Sequence, residues 1–291
     1  MAATIISGKE ISTQIRALMT EEVFQIMEAG KGQKDFYPPG LAVIQVGEDP
    51  ASSIYVRNKK KACEQVGIVS FGYTLDENAT QEELIDLIDA LNHDPRVHGI
   101  LCQLPLPPHM DEFSVICAIS PDKDVDGFHP VNKGLLSIGR ECLVSCTPVG
   151  CLALLKNLGI PIAGKRCVVI GRSNIVGKPV ALLMLSEHAT VTIAHSRTKN
   201  LPELCREADI LIAAIGKCGF VTKEFIKPGA VVIDVGINRG DDGIVRGDVL
   251  FDEVSEIAGA ITPVPGGVGP MTITMLLKNT LHAYRNLTGR S

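Results

Sequence analysis

The chain has 291 residues, of which 45% are hydrophobic and 21% charged, and a formal net charge of −5. That length accommodates roughly two domains, each able to bury its own core, and excludes a peptide or a small stapled scaffold. The composition excludes intrinsic disorder and a coiled coil as descriptions of the chain, and the acidic balance gives no general field for polyanions, so nucleic-acid binding is not expected.

Met1 to Ile6 contain neither a basic start nor a long apolar run, so no secretory signal is expected. Between Leu41 and Cys102, strands are expected over about 41–46, 70–74 and 98–102, with helices over about 51–66 and 81–91. That alternation predicts a βαβαβ unit of parallel strands with right-handed connections and both faces covered. Thr147 fits an N-cap with Pro148 at the first helical position, opening the helix that leads into a second unit. There, strands over 165–170, 190–194, 210–214 and 231–235 again alternate with helices. In 269–285, Ile273, Leu276, Leu277 and Leu281 recur at helical spacing and should face a core. Apolar runs such as 210–215 stop far short of the ~18 residues of a membrane helix, so no membrane span is expected.

Nine cysteines without a signal segment read as reduced thiols of a cytoplasmic protein. Cys142, Cys146 and Cys151 lack the C-x-x-C pairing of structural zinc, so they are read as small buried hydrophobes and no metal site is expected.

The strongest local signal is Gly171-Arg172-Ser173-Asn174-Ile175-Val176-Gly177, between the strand Cys167 to Ile170 and a helix over 178–185. Strand, glycine loop and helix in that order either present backbone N–H groups to a pyrophosphate or merely join two elements. Ser173 replaces the second glycine of G-x-G-x-x-G, and the last glycine comes one residue late. The next strand ends in Ala194-His195-Ser196-Arg197-Thr198, with no carboxylate for an NAD ribose but with a cation and hydroxyls that suit the 2′-phosphate of NADP. Arg172 adds a second cation; the plain alternative makes Arg197 a solvated surface charge.

Tyr55 and Lys59 lie four apart on one expected helix and so share a face, although on spacing alone a basic helix with its lysines in water is the better explanation. Gln103 follows the strand over 98–102, where open parallel sheets gather ligands, and otherwise just opens the proline-rich loop Leu104 to Pro108. Asp126 is either a turn residue or a ligand-binding carboxylate. The run Pro263 to Pro270 either lets backbone approach a ligand closely or is a rigid connector.

In this order, Tyr55-Val56-x-x-Lys59-x-Lys61, Gln103-Leu104-Pro105-Leu106-Pro107, Lys123-Asp124-Val125-Asp126-Gly127, His129-Pro130-x-Asn132-x-Gly134, Cys146-Thr147-Pro148, Gly171-Arg172-Ser173-x-x-Val176-Gly177-x-Pro179, Asp234-Val235-Gly236-Ile237-Asn238 and Pro263 to Thr272 resemble the bifunctional methylenetetrahydrofolate dehydrogenase/methenyltetrahydrofolate cyclohydrolase family. The resemblance covers nearly the whole chain, and the odd spacing of the glycine loop is part of it.

The resemblance implies an α/β protein of two domains: an N-terminal α/β catalytic, folate-binding domain over 1–147, and a C-terminal Rossmann-like NADP-binding domain over 148–280. The helix end over 281–291 returns to the first, and a folate cleft lies between them. The implied activity is NADP-dependent oxidation of 5,10-methylenetetrahydrofolate, then hydrolysis of the methenyl product to 10-formyltetrahydrofolate, in one-carbon metabolism and purine biosynthesis.

Carried over by motif, Lys59 is the key residue of hydrolysis with Gln103 beside it, Tyr55 packs on the folate, and Asp126 hydrogen-bonds the pterin. A cationic substrate and partial burial would help Lys59 release its proton and act as base or shuttle. Folate contacts also fall on Val56, Arg57, Asn58, Cys102 and Leu104, and on Pro265, Gly266, Gly267, Val268 and Gly269. Cofactor contacts fall on Gly171, Arg172, Ser173, Ser196 and Ile237, to which charge and position add Arg197. A homodimer is implied. The alternatives are a monofunctional NAD(P)-dependent dehydrogenase, which would let methenyltetrahydrofolate accumulate, and a catalytically silent binding module.

Overall fold

The computed structural model describes residues 3–47, 50–240 and 242–290, with residues 50–53 given by backbone alone. In chain order the elements are β1 (Thr4–Ile5), α1 (Gly8–Gly30), β2 (Gly40–Val46), α2 (Pro50–Val66), β3 (Val69–Leu75), α3 (Gln81–His93), β4 (Gly99–Cys102), α4 (Glu112–Ala118), α5 (Pro130–Ser137) and α6 (Cys146–Asn157). There follow β5 (Arg166–Ile170), α7 (Gly177–Ser186), β6 (Thr190–Ala194), α8 (Leu201–Cys205), β7 (Ile210–Ala213), β8 (Val231–Asp234), β9 (Asn238–Arg239), β10 (Val245–Arg246), α9 (Phe251–Ser255), β11 (Ala260–Ile261) and α10 (Val268–Thr288).

These elements form two compact units, Gln14–Cys146 with Ile273–Ser291, and Met1–Thr13 with Thr147–Thr272. The division departs from the bounds 1–147, 148–280 and 281–291 at both ends of the chain. Backbone pairing explains the first departure: Thr4 and Ile5 sit in register with Ala260 and Ile261, adding β1 to the second unit's sheet. Asn279 explains the second, because its Nδ2 donates to the carbonyls of Val125 and Val144 at 2.8 and 2.9 Å, inside the first unit.

In the first unit, β3-β2-β4 form a parallel sheet, as the alternating pattern implied. The expectation of full coverage holds for β2 and β4, whose residues are all buried, but not for β3, whose residues are half-buried or exposed, with Phe71, Tyr73 and Leu75 turned to the core. Helix α3 starts at a capping box: Thr80 Oγ1 accepts from the Glu83 N–H, and the Glu83 carboxylate accepts from the Thr80 N–H. It buries Leu84, Ile88 and Leu91 against Ala42, Ile44 and Ile100. Each aliphatic side chain so buried contributes about 1.5–3 kcal/mol before ordering costs.

In the second unit six parallel strands run β1-β11-β8-β7-β5-β6. Strands β6 and β7 flank β5 on opposite sides, so the strand order reverses at the carboxyl end of β5, where doubly wound sheets bind their ligands. Helix α6 begins at Cys146, two residues earlier than expected, so Thr147 lies inside it. Thr147 Oγ1 meets Thr272 Oγ1 at 3.0 Å instead of capping. Among the described residues no helix is long and apolar enough to cross a membrane.

Candidate active site

Gln103 leaves the carboxyl end of β4 with its N–H bonded to the Ile44 carbonyl, which fixes its backbone to β2. Its Nε2 donates to the Leu104 carbonyl at 2.7 Å, and that bond turns Oε1 toward α2. There Lys59, half-buried, donates from Nζ to Oε1 at 2.9 Å. Tyr55, one helical turn earlier, remains 43% exposed. Val56 is half-buried and Arg57 and Asn58 are exposed on the same helix; Leu104 is half-buried. Cys102 is buried, which pushes its thiol up to about 12 and leaves it an inert neighbour.

Asp126 sits in the turn after the Ile100–Asp124 bridge, and its carboxylate has no hydrogen-bond partner among the described residues. Desolvation raises its pKa, opposed by the charges of Lys59 and Lys133. The turn is built on Asp124, a buried carboxylate that accepts from the N–H groups of Phe128 and His129 at 3.2 and 2.8 Å and from Asn132 Nδ2 at 2.9 Å. Burial pushes Asp124 up to about 6. Lys133 donates to Ser145 Oγ at 2.6 Å and lies 5.2 Å from the Phe128 ring centroid. Burial pulls it down to about 8 against the opposing carboxylates of Asp124 and Asp126. Lys59, Gln103 and Asp126 were expected here. Lys133 was not, and its only sequence signal is its position beside Asn132 in an otherwise apolar helix.

In the second unit, Gly171 ends β5 at φ +123°, where a Cβ would overlap the Ala214 carbonyl. A Cβ on Gly177 would overlap the Gly171 carbonyl, so both glycines are required by close backbone approach. Ser173 Oγ accepts from the N–H groups of Val176 and Gly177 at 3.1 and 3.3 Å, so the two glycine-loop donors offered to a pyrophosphate are, at these positions, bonded within the loop, which the sequence left open.

Arg172 and Arg197 follow Ile170 and Ala194, which are paired in register; both are exposed, and neither has an ion-pair partner among the described residues. The turn carrying Ser196 and Arg197 is closed by His195 N–H to Thr198 Oγ1 at 2.9 Å and by Arg197 N–H to His195 Nδ1 at 3.1 Å.

Ile237, 52% exposed, follows β8 and is held by two carboxylates that sequence reasoning did not single out. Asp248 accepts from the N–H groups of Ile215, Gly216 and Lys217 at 2.7, 3.0 and 2.8 Å, and from Asn238 Nδ2 at 2.9 Å. Asp234 accepts from those of Gly236, Asp248 and Val249, each at 2.9 Å. A Cβ on Gly236 would overlap the Asp248 carboxylate and one on Gly247 that of Asp234; these glycines were the available signal. The segment 265–269 also belongs to this unit; Gly266 has φ +108° and accepts from the Lys9 N–H at 3.0 Å, and Val268 already opens α10. Among the described residues no group of three or more acidic, His or Cys side chains could hold a metal.

A doubly wound sheet with a glycine turn and unpaired cations at its switch point defines a dinucleotide-binding α/β protein, here joined to a unit bearing a Lys–Gln–Asp cluster. Comparison with known proteins takes this further. The tetrahydrofolate dehydrogenase/cyclohydrolase catalytic-domain model matches residues 6–126, and the NAD(P)-binding-domain model matches residues 145–288. The "Bifunctional protein FolD" of Acetivibrio thermocellus is 57% identical over 285 residues, 98% of each chain. The crystal structure of the bifunctional enzyme FolD, a methylenetetrahydrofolate dehydrogenase/cyclohydrolase from Campylobacter jejuni, is 48% identical with a TM-score of 0.94, covering 98% of this chain and 99% of that one. The Trypanosoma brucei enzyme complexed with NADP cofactor and inhibitor is 42% identical with a TM-score of 0.93, covering 100% of both chains. The chain belongs to the tetrahydrofolate dehydrogenase/cyclohydrolase family.

Proposed function

We propose that this chain oxidises 5,10-methylenetetrahydrofolate with NADP and then hydrolyses the 5,10-methenyl product to 10-formyltetrahydrofolate. The observation that carries the reading is the Lys59–Gln103 hydrogen bond beside the carboxylate of Asp126, which has no hydrogen-bond partner among the described residues, in a chain of this family. NADP suits the second unit: Gly171 leaves no room for a side chain, and Arg172, Ser196 and Arg197 offer two unpaired cations and a hydroxyl where an NAD site would carry a carboxylate. When bound, NADP supplies the hydride acceptor. Gly171, Arg172, Ser173, Ser196, Arg197 and Ile237 are the residues we assign to holding it.

For hydrolysis, water adding to the methenyl carbon must lose a proton, and ring opening must return one to nitrogen. Lys59 Nζ is the group assigned to that transfer, with Gln103 holding the amine in place. Asp126 is assigned to hydrogen bonding the pterin and Tyr55 to packing on the folate. Val56, Arg57, Asn58, Cys102, Leu104 and 265–269 are assigned to folate contact on the strength of the family resemblance.

The nine free thiols fit a cytoplasmic enzyme, and the family resemblance supports a homodimer, for which light scattering should give a mass near twice 31.1 kDa. Supply of formyl groups to purine biosynthesis completes the reading. The test is an assay with methylenetetrahydrofolate and either NADP or NAD, following reduced nicotinamide and methenyltetrahydrofolate separately. NADP reduction with little methenyl accumulation is expected; accumulation would leave a dehydrogenase alone, and no reduction would leave a binding module.

A further inference from the structure

The proposed function uses the carboxyl end of the first unit's sheet and leaves the other end unassigned. At that other end lies a cavity of about 450 Å³ whose lining includes Tyr37, Asp94, His98, Lys123, Leu287 and Arg290. His98 immediately precedes β4 whereas Gln103 immediately follows it, so the two lie at opposite ends of one strand. We infer that this cavity is a second binding site, for a small organic anion with a flat or apolar body, such as an aryl phosphate or aryl carboxylate.

His98 is 2% exposed, and its Nδ1 accepts from the Gly40 N–H at 3.1 Å. That bond places the ring proton on Nε2, which is left as a donor with no partner among the described residues on a ring that lines the cavity. Burial, then the charge of Lys123, hold His98 down to about 4, so the ring stays neutral and this tautomer persists at neutral pH. The buried Tyr284 packs edge-on at 4.8 Å and fixes the ring plane; its own hydroxyl is a buried polar atom without a hydrogen-bond partner among the described residues.

The charges point to an anion. Lys123 is 7% exposed and spends two donors on the carbonyls of Leu91 and Asp94 at 3.1 and 3.0 Å, with no ion-pair partner among the described residues. The Asp94 carboxylate is taken by Arg96, 2.6 Å away. Arg290 stacks 5.3 Å over Phe36 and also has no carboxylate partner among the described residues. Of the groups lining the cavity, only Asp35 is a carboxylate free of an ion pair among the described residues. Two buried or half-buried cations and a neutral N–H donor therefore face Asp35, an exposed acid, and Asp94, whose charge Arg96 offsets. Leu287, Val97 and the Tyr37 ring supply apolar wall, and the volume falls in the range of about 300–1,000 Å³ of small-molecule sites.

The test titrates phenyl phosphate, inorganic phosphate and benzyl alcohol into the full chain, reading the His98 ring nitrogens by NMR, with His98→Gln to assign the signal. Phenyl phosphate should give a saturable Nε2 shift at about millimolar concentration or below, and inorganic phosphate a weaker one. Arg290→Ala should weaken phenyl phosphate by about tenfold and Arg290→Glu more, with thermal unfolding and hydrolysis unchanged. Arg197→Ala, in the other unit, should leave this titration as it is. No shift at about 20 mM phenyl phosphate, or the same titration in Arg290→Ala, would overturn the site. Equal binding of benzyl alcohol would overturn its preference for anions.

Discussion

Asp126 and Arg197 show what one residue contributes and how each is tested. Asp126 offers a carboxylate with no hydrogen-bond partner among the described residues, desolvated and flanked by Lys59 and Lys133, so truncation removes a ligand contact and breaks none of the described hydrogen bonds. A hydrogen bond to a charged group is worth about 1.5–3 kcal/mol, so Asp126→Ala should raise the KM for folate by about 10- to 100-fold while the fold is kept. Unchanged KM in both half-reactions would remove the pterin contact. Arg197 is exposed and unpaired beside Arg172, and Arg197→Ala should raise the KM for NADP by about tenfold and leave that for NAD unchanged. Equal losses with both cofactors would mean that Arg197 does not read the 2′-phosphate.

At the scale of elements, the interlocked Asp234 and Asp248 fasten the segments after β7 and β8, and with them Ile237, to the segment after β10. The sequence assigns neither a role, although Asp234 heads one of the family motifs, because each matters only through the three backbone donors it receives once buried. Asp248→Ala should raise the KM for NADP several-fold. Hydrolysis assayed from methenyltetrahydrofolate, which needs no cofactor, should persist; equal loss of both would indicate general unfolding.

Asp234 also predicts a titration. Burial pushes it up to about 6, against its three backbone donors. Its folded value lies above its unfolded one of about 4, so this contribution to stability is complete below pH ~4 and is lost as pH rises through 6. Carboxyl carbon NMR of the folded chain should give an Asp234 midpoint near 6. A midpoint near 4 would show the carboxylate to be solvated.

For the whole molecule, the parallel strands of both units were legible because their β-branched runs alternate with helices at regular spacing. Strands β1 and β11 were not, since two residues each carry no periodicity and gain their role only by pairing with one another, more than 250 positions apart, and, for β11, with β8. Helix α1 was missed although Ile11, Met19, Val23 and Ile26 occupy one buried face, a helical signal in plain view. The site divides in the same way. Lys59, Gln103, Asp126 and the glycine loop stand at helix faces and strand ends that a sequence places, whereas Asp124, Lys133 and Asp248 matter through burial and hydrogen bonding that depend on the finished fold.

The central claim is that one chain performs two reactions, with Lys59 serving the second. The most direct measurement is hydrolysis of methenyltetrahydrofolate by Lys59→Met, together with its thermal unfolding and its reduction of NADP. An unchanged unfolding transition, hydrolysis near the uncatalysed rate, and continued NADP reduction with accumulating methenyltetrahydrofolate are expected. Hydrolysis at the rate of the unaltered enzyme would contradict it.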